Sequence, residues 1–247
     1  MELTELTRVL DLELDASRFK DYCPNGLQVE GRASVRRVVT GVTASQALID
    51  AAIVEGADAI LVHHGYFWKG ESPVIAGMKA RRIKALLNAG ISLLAYHLPL
   101  DAHPVLGNNA QLGALLGWNQ AKVLGGDLLW YADLPQPETA EAIAQRVEQV
   151  LGRRPLLEVV GEREVTRVAW CTGAAQSFIG QAADIGADLF LSGEVSEPTI
   201  HDARERGVHF IAAGHHATER YGVKALGEWL AERFGIEQTF IDIDNPA

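Results

Sequence analysis

Thiols are scarce in this 247-residue chain, which has only two cysteines, Cys23 and Cys171. Two thiols make neither a disulfide framework nor a Cys₄ zinc site, so buried, reduced side chains are expected. Long apolar runs are missing as well. None approaches the roughly 18 residues needed to span a bilayer, so no membrane partner is expected. The opening MELTELTRVLDLELD alternates acidic and apolar residues at helical spacing, unlike a signal peptide. A cytoplasmic location is expected. Positive charge is also short: 22 Lys and Arg face 32 Asp and Glu, a formal charge of −10. A surface that coats nucleic acid needs a basic face, so nucleic acid is a disfavoured partner. Histidine numbers only eight, yet four of these form two doublets, His63–His64 and His215–His216, each after an apolar run.

The chain repeats itself. RVVTGVTASQALIDAAIVEGADAILVHH (37–64) aligns without a gap, at an offset of 130, with RVAWCTGAAQSFIGQAADIGADLFLSGE (167–194), and 10 of 28 positions are identical. Each segment reads as a strand, an amphipathic helix ended by glycine, and a second buried strand. That is a βαβ unit, with parallel strands and a right-handed crossover. The likeness continues between GISLLAYHLPLDA and GVHFIAAGHHATER, with one residue inserted. Both segments end in a histidine followed four residues later by an acid, His97/Asp101 and His215/Glu219. The expected fold class is therefore α/β, with two similar βαβ-based lobes packed around a central dinuclear metal site. The lobes are expected at 1–125 and 126–247, intimately joined, with no inserted mid-chain domain.

In parallel α/β sheets, ligands gather beyond the carboxyl ends of the strands. His63, His64, His97 and Asp101 belong there in the first lobe. Glu194, at the place of His64, joins His215, His216 and Glu219 in the second. Imidazoles and carboxylates without thiolates suit zinc, manganese, iron or nickel. One catalytic zinc takes about three protein ligands. The larger number of candidates points to two divalent metals about 3.5–4 Å apart, activating water as a bridging hydroxide. His216 has no counterpart in the first lobe and is left out of the ligand set. His97 is open between ligand and orienting partner. His103 is expected near the cavity, while His201 and His209 are expected to be structural.

These stretches together resemble the GTP cyclohydrolase 1 type 2 homologue family, the Nif-three-like dinuclear metal proteins. The resemblance rests on DYCPNGLQVEG, GVTASQALIDAA, LVHHGYFWKGESPV, HLPLDAHPVLGNNAQL, LSGEVSEPTIHDAR and AAGHHATERYGVKALGEWL. It implies His63, His64, Asp101, His215 and Glu219 as metal ligands, with Glu219 bridging, and a ring-shaped homohexamer built from dimers. It also implies a hydrolase of a nucleotide or related heterocycle. In that scheme Glu194 and His97 are the candidates for proton transfer. Longer members insert a further domain, whereas residues 119–160 here read as one capped amphipathic helix and its flanks. Two other functions compete: a non-catalytic metal-binding or ring-shaped scaffold, and a metal-dependent phosphatase or phosphodiesterase. Asn25, Gln28 and the Tyr66–Lys69 stretch are open between structural roles and substrate contact.

Overall fold

The structure, a computed structural model, describes residues 1–124, 126 and 128–247. The chain begins with α1 (Leu3–Glu13), β1 (Gly26–Val29), β2 (Arg37–Thr43), α2 (Gln46–Val54), β3 (Ala59–His64), α3 (Gly77–Ala89), β4 (Ser92–Ala95) and α4 (Leu98–Ala102). It continues with α5 (Asn108–Leu115), β5 (Lys122–Leu124), β6 (Leu129–Glu138), α6 (Ala140–Leu151), β7 (Leu156–Glu158), β8 (Val165–Cys171), α7 (Ile179–Asp184), β9 (Leu189–Ser192), α8 (Glu197–Arg206), β10 (His209–Ala212) and α9 (His215–Thr218). It closes with α10 (Arg220–Phe234) and β11 (Glu237–Phe240). No helix among the described residues is long and apolar enough to cross a membrane.

Two units result, and they are not the continuous segments expected from sequence. One comprises Met1–Gly107 and Gly222–Asp244, the other Asn108–Tyr221 and Asn245–Ala247. The expected boundary at residue 125 lies outside the described residues. The first unit is discontinuous because β11 adds to its sheet, parallel to β2, from the far end of the chain.

The first unit's sheet has the order β1-β4-β3-β2-β11. β2, β3 and β4 are parallel, and β1 closes the opposite edge antiparallel to β4. Successive residues face opposite sides of a strand, and the core divides accordingly. Val38, Leu61 and Leu94 pack with Leu3, Leu6 and Leu10 of α1 and with Val223, Leu226 and Leu230 of α10. Val39, Ile60 and Leu93 pack with Leu48, Ile49, Ile83 and Leu86 of α2 and α3. Both faces are covered, which explains the unbroken apolar run before His63.

The second unit's sheet has the order β5-β6-β8-β9-β10-β7. Its parallel centre, β8-β9-β10, repeats the first unit's register. Val38 pairs with Ala59 and Val168 with Leu189, and Thr40 pairs with Leu61 as Trp170 does with Leu191. The added strands β5, β6 and β7 are antiparallel. Residues 119–160 thus hold strands as well as the expected helix, α6, which Thr139 caps by accepting from the Ala142 N–H. Cys23 and Cys171 are both buried and are not joined in a disulfide.

The shared residues of the repeat do matching work. Asp58 Oδ2 accepts from the Arg36 and Arg37 N–H groups, and Asp188 Oδ2 accepts from those of Thr166 and Arg167. The Arg37 guanidinium donates to the Glu55 carbonyl and that of Arg167 to the Ile185 carbonyl, each at a helix end. These side chains tie each first strand to the crossover that returns beside it.

Candidate metal centre

In the first unit, β3 delivers the histidine doublet. His63 is fully buried and His64 half-buried. Strand alternation alone would send them to opposite faces, but β3 stops at His64 and the rings lie 4.4 Å apart between centroids. His63 Nδ1 lies 3.0 Å from the Tyr96 carbonyl oxygen. A carbonyl only accepts, so Nδ1 carries the proton and Nε2 holds the lone pair. That Nε2 stands 3.5 Å from Asp101 Oδ1. His64 Nδ1 is 3.3 Å from the Thr43 hydroxyl.

β4 delivers His97, the cap residue of α4. Asp21, in the segment before β1, holds it: Asp21 Oδ1 is 2.7 Å from His97 Nδ1. Asp21 Oδ2 accepts from the Leu98 N–H and the Asn25 amide, and Asn25 Oδ1 accepts from the His97 N–H. Burial alone would raise the Asp21 pKa, but His97, Asn25 and the Leu98 N–H together hold it at about 2. The Trp68 ring meets His97 edge-on, 4.9 Å between centroids. Ligand atoms of His63, His64 and His97 lie within 4.8 Å of one another, a spacing that fits a metal ion. Asp101 sits on the first turns of α4, buried, its N–H bonded to the His97 carbonyl.

In the second unit, His215 opens α9 and Glu219 follows it. His215 Nδ1 is 2.7 Å from Glu194 Oε1, and Nε2 is 3.1 Å from Glu219 Oε2. Burial opposes a charge on His215, but Glu219 and Glu194 more than offset it and raise the pKa to about 9. A cation at Nε2 would take the place of that proton. The floor beneath the pair is Gly173. A Cβ there would overlap Glu219 Oε1 and lie 3.3 Å from His215 Nε2. Thr218 fixes the turn by accepting from the Gly173 N–H and donating to the His215 carbonyl.

The two units therefore keep one device and vary the rest. Each has a histidine after its third parallel strand with Nδ1 2.7 Å from a carboxylate, His97–Asp21 and His215–Glu194. Glu194 stands where the first unit has His64. Gly193 stands where it has His63, and there a Cβ would lie 2.6 Å from the Gly173 carbonyl oxygen and 2.8 Å from His215 Cα. The backbone itself fills that position.

The other histidines lie elsewhere. His103 Nδ1 accepts from the Leu106 N–H and closes a turn, and burial lowers its pKa. His201 is exposed on α8 beside Glu197. His209 is buried, with its ring nitrogens on the Val160 N–H and the Arg163 carbonyl. Gln28 braces the doublet's loop by accepting from the Tyr66 N–H, and the Tyr66 hydroxyl donates to the Ala44 carbonyl. Asp21, Thr43, Gly173 and Thr218 were not legible as site residues. Each acts through a contact remote in sequence, so the motifs that contain them did not single them out.

Comparison with known proteins identifies the chain's relatives. The family model described as Duf34/NIF3 (NGG1p interacting factor 3) matches residues 1–246. A Pseudomonas aeruginosa protein named GTP cyclohydrolase 1 type 2 homolog is 57% identical over 249 residues, covering 99% of this chain and 98% of that one. An Escherichia coli K12 protein of the same name is 57% identical over 250 residues, covering both chains fully. Among solved structures, protein ybgI, titled as of unknown function, superposes with a TM-score of 0.96 at 57% identity, with both chains fully covered. TTHA1606 from Thermus thermophilus gives 0.92 at 38% identity, again over both whole chains.

Proposed function

The chain belongs to the Duf34/NIF3 family, and on that footing we propose that it is a dinuclear metal-dependent hydrolase of a nucleotide or related heterocycle. The observation that carries this reading is how the imidazoles are held. His63 and His215 each have Nδ1 on a fixed acceptor and Nε2 beside a carboxylate, Asp101 or Glu219. Histidine ligands are oriented in this way at metal sites. The residues that would hold two divalent ions in this reading are His63, His64, Asp101, His215 and Glu219. Iron, manganese, zinc and nickel all suit such donors.

Bound there, the metals would supply Lewis acidity and lower the pKa of water. The chain's own residues do the rest. Glu194 holds the His215 ring by Nδ1, which favours an orienting role over that of a free base. Asp21 holds His97 by Nδ1 and leaves Nε2 as the atom that can pass a proton to or from a substrate. The substrate class follows the names of the relatives, and turnover decides it: formate released from GTP marks a cyclohydrolase, inorganic phosphate a phosphatase.

Elemental analysis of the purified protein tests the centre. The expected result is about two metals per chain, lost in both His63→Ala and Glu219→Ala while the fold is kept. Absence of metal after reconstitution with all four ions, or full metal and turnover in Glu219→Ala, would sink the reading. The homohexamer belongs to the same proposal. Light scattering should then give about six times the 26.8 kDa chain mass, and a monomer would refute it.

A further inference from the structure

The loop after the histidine doublet carries an aromatic side chain that the proposed metal chemistry does not use. Tyr66, Phe67 and Trp68 stand together there, directly after β3 and Gly65. Tyr66 and Phe67 pack into the core that the sheet forms with α2 and α3. Trp68 belongs to none of the apolar clusters found among the described residues. It is half-buried, and its ring lies 5.8 Å from that of His64 and 4.9 Å from that of His97, between centroids. A large apolar ring is thus kept out of the core and held beside two imidazoles.

The loop is built to hold it there. Phe67 has φ 65°, a left-handed conformation rare for a bulky side chain. This strained residue sits where the side chains pass from core to site. The Lys79 ammonium lies 4.8 Å from the Phe67 ring centroid and donates to Glu71 Oε2 at 3.0 Å. The same Glu71 oxygen accepts from the Trp68 backbone N–H, and the Gly65 carbonyl accepts from the indole Nε1 at 3.2 Å. Gln28 and the Tyr22 carbonyl anchor either side, accepting from the Tyr66 and Lys69 N–H groups. The indole is therefore fixed before any ligand arrives. Its single donor is engaged, so what it offers a ligand is its apolar ring. A fixed aromatic ring binds a planar heterocycle by stacking, and little entropy is lost because its torsions are already set.

We propose that Trp68 seats the planar heterocycle of the substrate by stacking on it beside His97, and so selects ligands that carry a base over bare sugar phosphates. The inference rests on the hydrolase reading, which supplies a heterocyclic substrate.

Calorimetry on the metal-loaded protein, with GTP, guanosine and ribose 5-phosphate as probes, tests it. Trp68→Leu, which keeps an apolar side chain and removes the aromatic face, should weaken GTP and guanosine on the order of tenfold. Ribose 5-phosphate affinity and metal content should match the wild type. Trp68→Phe, which keeps a smaller face, should fall between. Indole emission gives a second readout: guanosine should quench part of it in the wild type, and that part should be missing in Trp68→Phe. Where GTP is turned over, Trp68→Leu should act on KM rather than kcat. Equal weakening of all three probes, or loss of metal in Trp68→Leu, would make the indole a prop for the histidines and overturn the proposal. So would wild-type guanosine affinity in that variant, an undiminished quench in Trp68→Phe, or no binding of guanosine and GTP by the wild type. Failure of the hydrolase reading looks different: no turnover of GTP, with the Trp68-dependent binding of the base intact.

Discussion

Gly173 is where one methyl group does most damage. Its φ of 68° is left-handed, and a Cβ would overlap Glu219 Oε1 and lie 3.1 Å from Cδ. Left-handed backbone costs an L-residue roughly 1–2 kcal/mol, a loss most domains survive. Gly173→Ala should therefore stay folded, by circular dichroism, yet lose metal by elemental analysis. Full metal content would show that Glu219 can move aside without consequence. Asp21 supports the other histidine and makes a prediction about pH. Its folded pKa of about 2 lies below the usual value, so the folded state binds the proton less readily than the unfolded chain. The resulting stability, about 2 kcal/mol, is fully present above pH ~4 and disappears as pH falls through about 2. Asp21→Asn should thus unfold more easily at pH 7 and approach wild type near pH 2. A difference from wild type that does not change with pH would refute the assignment.

At the scale of elements, the duplicated βαβ is held by its duplicated aspartates. Asp58 accepts from two backbone N–H groups and from Arg32, and Asp188 accepts from two N–H groups and the Thr166 hydroxyl. Both are largely buried. Removing a carboxylate strands those donors, at roughly 1–3 kcal/mol for each one left unsatisfied. Asp58→Ala and Asp188→Ala should each lower the denaturant midpoint by a comparable amount, and a silent change at either would break the equivalence. These elements were legible in the sequence because both faces of the parallel strands are buried, so their apolar runs and helix-ending glycines repeat in register. The strand-end histidines and acids were legible for the same reason. β5, β6 and β7 were not. They are edge or near-edge strands with many exposed residues, and β6 ends in DLPQPE, which reads as loop. Asp21 escaped because its partner His97 is 76 residues away, and nothing local marks an aspartate in a turn as a histidine's anchor.

On the scale of the whole molecule, the discontinuity of the first unit has a consequence for how the chain folds. Residues 1–107 hold every strand of its sheet except β11, and every helix on the α1 face except α10. Val223, Leu226, Leu230 and Ile236 from the returning segment are buried in the cluster that α1 completes. Burying one such side chain contributes about 1.5–3 kcal/mol, so four together match the total stability of a typical domain. The register Glu237↔Arg37 to Phe240↔Thr40 also supplies the edge partner of β2. Arg37 adds a 2.5 Å ion pair to Glu237, but that pair is exposed and contributes little. A chain truncated after Tyr221 should therefore lose the first unit's cooperative unfolding transition and bind apolar dye. Its second unit, which keeps all of its strands, should still melt. The first unit should then form only after the last of its segments has been made, so His63, His64 and Asp101 should acquire metal late, after residue 240. A truncated chain that still binds metal through these histidines would show that residues 1–107 reach their fold without the returning segment.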